Sequence, residues 1–333
     1  MKTMQHPQYH ILLENLYRRF PNPKTGLLTT VLENVDLKVS PGEFVVLLGP
    51  SGCGKSTLFR ICLGADLGYE LGVDQEGEGK ALINGAPIQL PDTTRGLVPQ
   101  KYPLYPHLSV LQNVMIGLEF KHSMFHRFTH HKQLKAEAME YLRMVDLAQH
   151  ADKMPYQLSG GQQQRVAIAQ TLITSPGIVF MDEPFGALDA STRERVQLFM
   201  LELWEKQKMT VVFVTHDIAE AVILGSRIVL LSQYYTDDRG DVDNFGKPIQ
   251  RGSKIVRDIP LSREVLPMKA KGEPAFAAMV RDINEGAGWK PDHRRHVRDF
   301  DLTHPNSFST LTEHEDKTGL GNGNMHKKRT VSV

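Results

Sequence analysis

FVVLLGPSGCGKST, Phe44 to Thr57, joins five apolar residues to a glycine-rich loop and then to the start of an apolar-periodic stretch, STLFRICLG. The loop fits G-x-x-x-x-G-K-[ST], and its flanks give it the strand-to-helix setting that motif needs. Gly49, Ser51, Gly52 and Gly54 let backbone N–H groups converge on phosphate oxygens. The helix that follows adds its dipole. Lys55 then reaches the β and γ phosphates, and Ser56 is placed to ligate Mg²⁺. An inert glycine turn would not need a strand before it and a helix after it.

Working outward, residues 10–48 alternate short apolar runs (ILLENLY, TVLENVDLKV, EFVVLLG) with the breakers PNPKTG and SPGE, which predicts antiparallel strands and turns. After a glycine-rich acidic insertion, ALINGAPIQL predicts a hairpin turning on Asn84-Gly85. From about 104 to 175 the apolar residues recur at helical spacing in LSVLQNVMIGLEF, KAEAMEYLRMVDLAQH and QQQRVAIAQTLITS, so a helical subdomain is expected there. GIVFMDEP, TVVFVTH and RIVLLS then alternate with helical stretches, and such continuously apolar strands predict a parallel sheet covered on both faces.

IVFMDEP, Ile178 to Pro184, ends a buried strand in two acids, at the tip where open parallel sheets bind their ligands. Asp182 suits Mg²⁺ and Glu183 suits an attacking water. A solvated strand end would explain an isolated Asp-Glu equally well, but less well in a chain that carries the glycine loop.

LSGGQQQRVAIAQ, Leu158 to Gln170, narrows the reading. Here the chain resembles the ATP-binding cassette (ABC) ATPases, whose signature is LSGGQ placed between the phosphate loop and the Asp-Glu pair. The resemblance implies an α/β fold of the P-loop NTPase class and ABC type, with a mostly parallel core sheet, an antiparallel β subdomain and an inserted helical subdomain. It implies ATP and Mg²⁺ as ligands. All of Gly49, Pro50, Ser51, Gly52, Cys53, Gly54, Lys55, Ser56 and Thr57 would then surround the nucleotide. Ser159, Gly160, Gly161 and Gln162 would face the nucleotide of a second copy, where a helix N-terminus favours a γ-phosphate. A plain helix cap at Ser159 is compatible with that role.

Other landmarks follow from the same resemblance. Gln100 resembles the glutamine that contacts Mg²⁺ and water and links the subdomains. Asp189, in GALDAST, resembles the aspartate at the dimer interface, and His216, in FVTHD, the histidine that contacts the γ-phosphate. Phe20 aligns with the aromatic that stacks on adenine, with Tyr17 as its competitor. Catalysis is thereby assigned to Glu183, His216 and Gln100, and Mg²⁺ to Ser56, Gln100 and Asp182.

The resemblance covers residues 10–232, and DEPFGALDASTRE and YPHLSVLQNVMIGL look most like ATP-binding subunits of bacterial nitrate, sulfonate and taurine importers. That implies a head-to-tail pair of cassettes on the cytoplasmic face of the inner membrane, beneath separate permease subunits fed by a periplasmic binding protein. Tyr102, Leu104 and Tyr105 are candidates to line the permease-gripping groove beside Gln100, with ordinary packing as the alternative. Gln163 and Gln170 stand where many relatives carry basic or other residues. A soluble ABC ATPase without a permease is the rival reading; no long coiled coil separates the motifs, and only one LSGGQ occurs.

Composition sets bounds on the rest. Thirty-nine basic and 38 acidic residues leave a net charge of +1, so no whole-chain field points to nucleic acid, and none is expected as a partner. The apolar runs are strand-sized, well short of the roughly 18 residues of a membrane span, and the first residues show no apolar segment of signal-peptide kind. Cys53 and Cys62 sit about two helical turns apart, ~12 Å of rise, too far for a disulfide, so both are expected as thiols. His122, His126 and His130 would share one helical face, but no carboxylate or thiol completes a metal set. The cassette is expected over 9–233 and a partly helical extension over 234–286. A disordered tail is expected over 287–333, with HKKR (326–329) as a weak basic anchor.

Overall fold

The computed structural model describes residues 9–21, 26–65, 80–100, 104–121, 129–236, 251–261, 272–286, 288–290 and 295–296. The acidic insertion, Tyr102, His122, His126 and HKKR lie outside them. In chain order the larger elements are β1 (Ile11–Pro21), β2 (Leu28–Val39), β3 (Phe44–Leu48), α1 (Lys55–Leu63), β4 (Lys80–Ile83), β5 (Ala86–Pro87), β6 (Arg95–Val98), α2 (Val110–Lys121), α3 (His131–Met144), α4 (Gly160–Leu172), β7 (Ile178–Asp182), α5 (Ala190–Gln207), β8 (Thr210–Val214), α6 (Ile218–Leu224), β9 (Arg227–Ser232), β10 (Tyr235–Thr236), β11 (Lys254–Pro260), α7 (Pro274–Glu285) and β12 (Arg295–His296). They fall into two compact units, one of residues 1–90 with 214–333 and one of residues 91–213.

In the first unit β2-β1-β4-β5 form the expected antiparallel sheet, and the hairpin turns on Asn84 and Gly85 with φ of 51° and 78°. Two successive left-handed residues make the turn whose twist matches the strands it joins. β3 runs parallel to β9, and β11 adds antiparallel to the other edge of β9. Every residue of β3 is buried, as a strand covered on both faces must be. α1 ends at Gly64 (φ 84°), where Gly64 N–H reaches the Ile61 carbonyl and Ala65 N–H the Arg60 carbonyl, closing the helix with a Schellman turn.

The extension expected as partly helical also holds the strand β11. It is seven residues long, and its first five are buried in succession although Lys254, Arg257 and Asp258 give the stretch a polar look. Arg227 holds it with a two-pronged bond to Asp258, at 2.7 and 2.6 Å, while also donating to the Lys38 carbonyl. Upstream of it, Glu33 N–H donates to the Ser253 carbonyl and Ser253 N–H to that of Val31, while Tyr235, fully buried, donates its hydroxyl to the Gly252 carbonyl. α7 lies in the same region; it packs on α6 and ties Asp282 to Arg257 of β11. A few residues of the segment expected as a disordered tail are described. Gly288, left-handed at φ 91°, sits against Val256, and Arg295–His296 pair in parallel with Tyr235–Thr236. A local anchor this short disappears in the average composition of a polar segment.

In the second unit the strand order is β8-β7-β6, with β6 parallel to β7. The three expected helices α2, α3 and α4 pack together, α2 against α4 most extensively. Gly117 allows that approach: a Cβ there would lie 2.8 Å from the Gln170 carbonyl oxygen. Asn113 of α2 is fully buried, and its amide is spent on the preceding loop. It accepts from Tyr105 N–H at 2.8 Å and donates to the carbonyls of Tyr105, Leu108 and Ser109.

One buried acid makes stability depend on pH. Asp36 of β2 accepts from Asn15 N–H at 2.8 Å, but its second oxygen is buried without a hydrogen bond. Burial pushes its carboxyl up to about 6 from 3.8; neighbouring Glu14 adds to this, while the Asn15 bond, Lys254 and Lys38 oppose it. The folded chain therefore keeps a proton that the unfolded chain loses, so the contribution of Asp36 to stability falls as pH rises from about 4 to about 6 and is constant above. Asp36→Asn should raise stability by ~3 kcal/mol at pH 7 and have little effect near pH 3.5, measured by urea unfolding across that range.

Candidate functional site

The phosphate loop belongs to the first unit and follows directly from β3. Gly49 is required by space: a Cβ there would collide with the carbonyl oxygen of Leu231 in β9. Gly52 and Gly54 are left-handed, at φ 80° and 84°, so the chain can double back and open α1. A Cβ on Gly54 would come within 3.0 Å of both Val31 and Leu32, so the loop rests directly on β2. α1 begins with no side-chain cap and no acid in its first turn. Its leading N–H groups and dipole therefore suit an anion. Lys55 is buried and its ammonium donates to the carbonyls of Gly49 (2.8 Å) and Pro50 (2.9 Å), which holds the charge over the loop. Ser51, Gly52 and Ser56 are exposed.

Both cysteines are free thiols, as expected. Burial pushes the Cys53 thiol up, although Lys55 opposes this, so no thiolate competes with phosphate for the ammonium. Cys62, completely buried, is pushed up to about 12.

His216, also in the first unit, is exposed in the short turn before α6. Asp217 caps that helix, accepting from Ala219 and Glu220 N–H at 2.8 and 3.2 Å. At the open end of β1, Arg18 lies over the ring of Phe20 (4.6 Å) and Arg19 over that of Tyr17 (5.7 Å). Strand alternation thus puts the two candidate aromatics on opposite faces. Phe20 is the more exposed of the two.

In the second unit, β6 and β7 run parallel with Val98 opposite Met181, so their C-terminal ends deliver adjacent segments. Gln100 and Glu183 meet there: the Gln100 amide donates to a Glu183 carboxylate oxygen at 3.3 Å. Four buried residues precede Asp182, which is only partly covered. Glu183 sits at φ 46°, a left-handed conformation unusual for a residue with a side chain, and accepts from Gly186 N–H through its carbonyl.

Ser159 caps α4 in a reciprocal box. Its hydroxyl accepts from Gln162 N–H (3.3 Å), and the Gln162 side chain accepts from Ser159 N–H (2.9 Å). The expected cap is thus present, and Ser159 and Gly160 are exposed at the helix end. Gly161 faces the Ala187 carbonyl, 3.1 Å from where a Cβ would lie. Asp189 caps α5, accepting from Thr192 N–H at 3.0 Å and the Ser191 hydroxyl at 2.8 Å. Those bonds hold its carboxyl well below the usual range.

A groove of about 830 Å³ lies in this unit, with Leu97, Leu104, Tyr105, Ile116, Gln170 and Thr171 on its walls. Leu104 and Tyr105, candidates for a groove or for ordinary packing, both lie on it. Gln170, a departure from the family pattern, is also on the wall. Sequence reading passed over Asn113, which pins the Tyr105 loop, and Asp146, which is left-handed at φ 57° and accepts from Arg195 at 3.2 Å while Arg165 of α4 donates to the Val145 carbonyl at 2.7 Å. A polar residue within an apolar helical pattern was the available signal for Asn113.

Strand-tip acids, a glycine phosphate loop and a capped signature helix define a P-loop ATPase. Comparison with known proteins specifies the kind. The ABC transporter family model matches residues 32–186. The aliphatic sulfonates import ATP-binding protein SsuB of Bacillus subtilis is 41% identical over 206 residues, 62% of this chain and 74% of that protein. The bicarbonate transport ATP-binding protein CmpD of Synechocystis is 38% identical over 250 residues, 74% of this chain and 83% of that protein. A solved dimeric ATP-binding cassette in a post-hydrolysis state, bound to ADP and Pi, aligns with a TM-score of 0.57 at 32% identity, over 76% of this chain and 99% of that one. The chain belongs to the ABC transporter family, and it is an ATP-binding cassette ATPase.

Because the space beside Gly49 is filled by a backbone carbonyl, Gly49→Ala should displace the loop. ATP affinity should fall at least about tenfold in a fluorescent-nucleotide titration, with the circular dichroism spectrum unchanged.

Proposed function

We propose that this chain is the ATP-hydrolysing subunit of an importer of small anions, working as a head-to-tail pair of cassettes beneath separate permease subunits. The observation that carries the coupling is in the second unit: Gln100 bonds Glu183 while its neighbour Pro99 lies on the groove wall. A helix of the permease seated in the groove would therefore be sensed, one residue away, by the group that orients the attacking water. Sulfonate and bicarbonate, named in two relatives, are both small anions, and this supports the solute class. Those transport names also weigh against a cassette working without a permease.

In this reading the loop from Gly49 to Thr57 wraps the phosphates of ATP, with Pro50, Ser51 and Cys53 contributing backbone and Lys55 the charge. The uncapped start of α1 and the glycine cradle fit that anion. Phe20 stacks on adenine; Arg18, on its face of β1, pairs across from Leu32, which reaches toward Gly54. Ser56, Asp182 and Gln100 would each offer an oxygen to Mg²⁺, which would neutralise developing phosphate charge. Glu183 takes the proton of the attacking water, and His216 holds the γ-phosphate. Ser159, Gly160, Gly161 and Gln162 of a second copy cover the same nucleotide, with Asp189 at the contact between copies. ATP binding favours the closed pair, and loss of the γ-phosphate contacts releases it. In this reading the subunit sits peripherally on the cytoplasmic face, beneath the permease. No helix among the described residues is long and apolar enough to cross a membrane. A periplasmic binding protein would deliver the solute to the permease.

Glu183→Gln should lower turnover by at least about a hundredfold and trap an ATP-bound dimer in size-exclusion chromatography with Mg²⁺; undiminished turnover would exclude Glu183 as the base. Ser159→Arg should retain ATP binding and abolish hydrolysis. Mixing the Ser159→Arg and Glu183→Gln chains tests the head-to-tail pairing, because one of the two mixed sites then combines a wild-type Glu183 with a wild-type Ser159 and should recover part of the activity.

A further inference from the structure

The turn that presents His216 is tied down on both sides by bonds that the ATPase reading does not use. Thr215 N–H donates to the Leu47 carbonyl of β3 at 3.3 Å, which fixes the turn to the strand feeding the phosphate loop. The Thr215 hydroxyl, 2% exposed with its residue, donates to a carboxylate oxygen of Glu220 at 2.8 Å. The same hydroxyl accepts from Asp217 N–H at 3.0 Å. Asp217 in turn caps α6, the helix that carries Glu220. The residues before and after His216 are therefore locked by one hydroxyl, and that hydroxyl is oriented by one buried carboxylate.

We infer that Glu220 is a positioning residue for His216: through the Thr215 hydroxyl it fixes the backbone on either side of the imidazole and so sets where the imidazole meets the γ-phosphate. A hydroxyl has a single hydrogen, and Glu220 decides where it points. With the hydrogen directed at the carboxylate, a lone pair remains for Asp217 N–H. Removing the carboxylate frees the hydrogen, leaves a buried donor to find another partner, and loosens the Asp217 bond with it. Displacements of about 1 Å at a group that contacts reacting atoms cost up to ~100-fold in rate, whereas ground-state binding of ATP, carried by the phosphate loop, is insulated.

The inference rests on His216 acting on the γ-phosphate, and the experiment separates the two. Steady-state ATPase assays with Mg²⁺ on the purified full chain compare Glu220→Ala, Glu220→Gln, Thr215→Val, Thr215→Ser, His216→Ala and the double variant His216→Ala with Glu220→Ala. Glu220→Ala and Thr215→Val are expected to lower kcat about 10- to 100-fold while KM for ATP moves less than about twofold. Glu220→Gln and Thr215→Ser, which keep an acceptor and a hydroxyl, should restore most of the rate. In the His216→Ala background, Glu220→Ala should cost nothing further, because its effect runs through the imidazole. Should the Glu220→Ala chain fail to fold by circular dichroism, the near-isosteric Thr215→Val carries the same test. Full kcat in both Glu220→Ala and Thr215→Val, or an undiminished loss in the double variant, would overturn the inference and leave the role of His216 standing. Full kcat in His216→Ala would instead remove the reading on which it rests.

Discussion

The constraint on which this structure depends is the burial of short parallel strands on both faces. β3, the first four residues of β7 and all of β8 are closed to solvent, so none of them can carry a polar side chain into water along its length. Polar chemistry can appear only where each strand runs out. It does so at Gly49 after β3, at Asp182 and Glu183 around the end of β7, at Gln100 two residues past β6, and at His216 two residues past β8. The apolar runs both stabilise the sheet and ration the places where a nucleotide could be handled.

Much of this was legible because strand burial and loop chemistry write themselves locally. Five apolar residues followed by glycines and a lysine allow few arrangements, and Asn84-Gly85 fixes its own turn. The capping box at Ser159 and Gln162 is likewise a three-residue spacing. What escaped was long-range: β11 is held by Arg227 and Asp258, 31 residues apart, and by backbone bonds reaching β2. No window of sequence contains both partners. Asn113 escaped for another reason, since its partners are backbone carbonyls that any residue could supply. Glu220 is by position an ordinary acid in the first turn of a helix, and only its distance to the Thr215 hydroxyl distinguishes it.

Several signature residues serve the architecture of one chain as well as the chemistry proposed for a pair. Ser159 and Asp189 both cap helices, and both stand exposed at those helix ends. A helix start that is already capped presents a surface of fixed shape. Association then costs less ordering entropy than it would if that surface had to fold on contact.

Glu183 illustrates a tension between durability and chemistry. Its backbone occupies a region that glycine enters freely and that costs a residue with a side chain roughly 1 kcal/mol or more. The fold would be steadier with glycine in that place, and the carboxylate is present in spite of the conformation. Random substitution under selection for stability alone would thus discard the proposed base early while the sheet around it survived. Related chains that retain the cassette and have lost hydrolysis are the expected products of such drift.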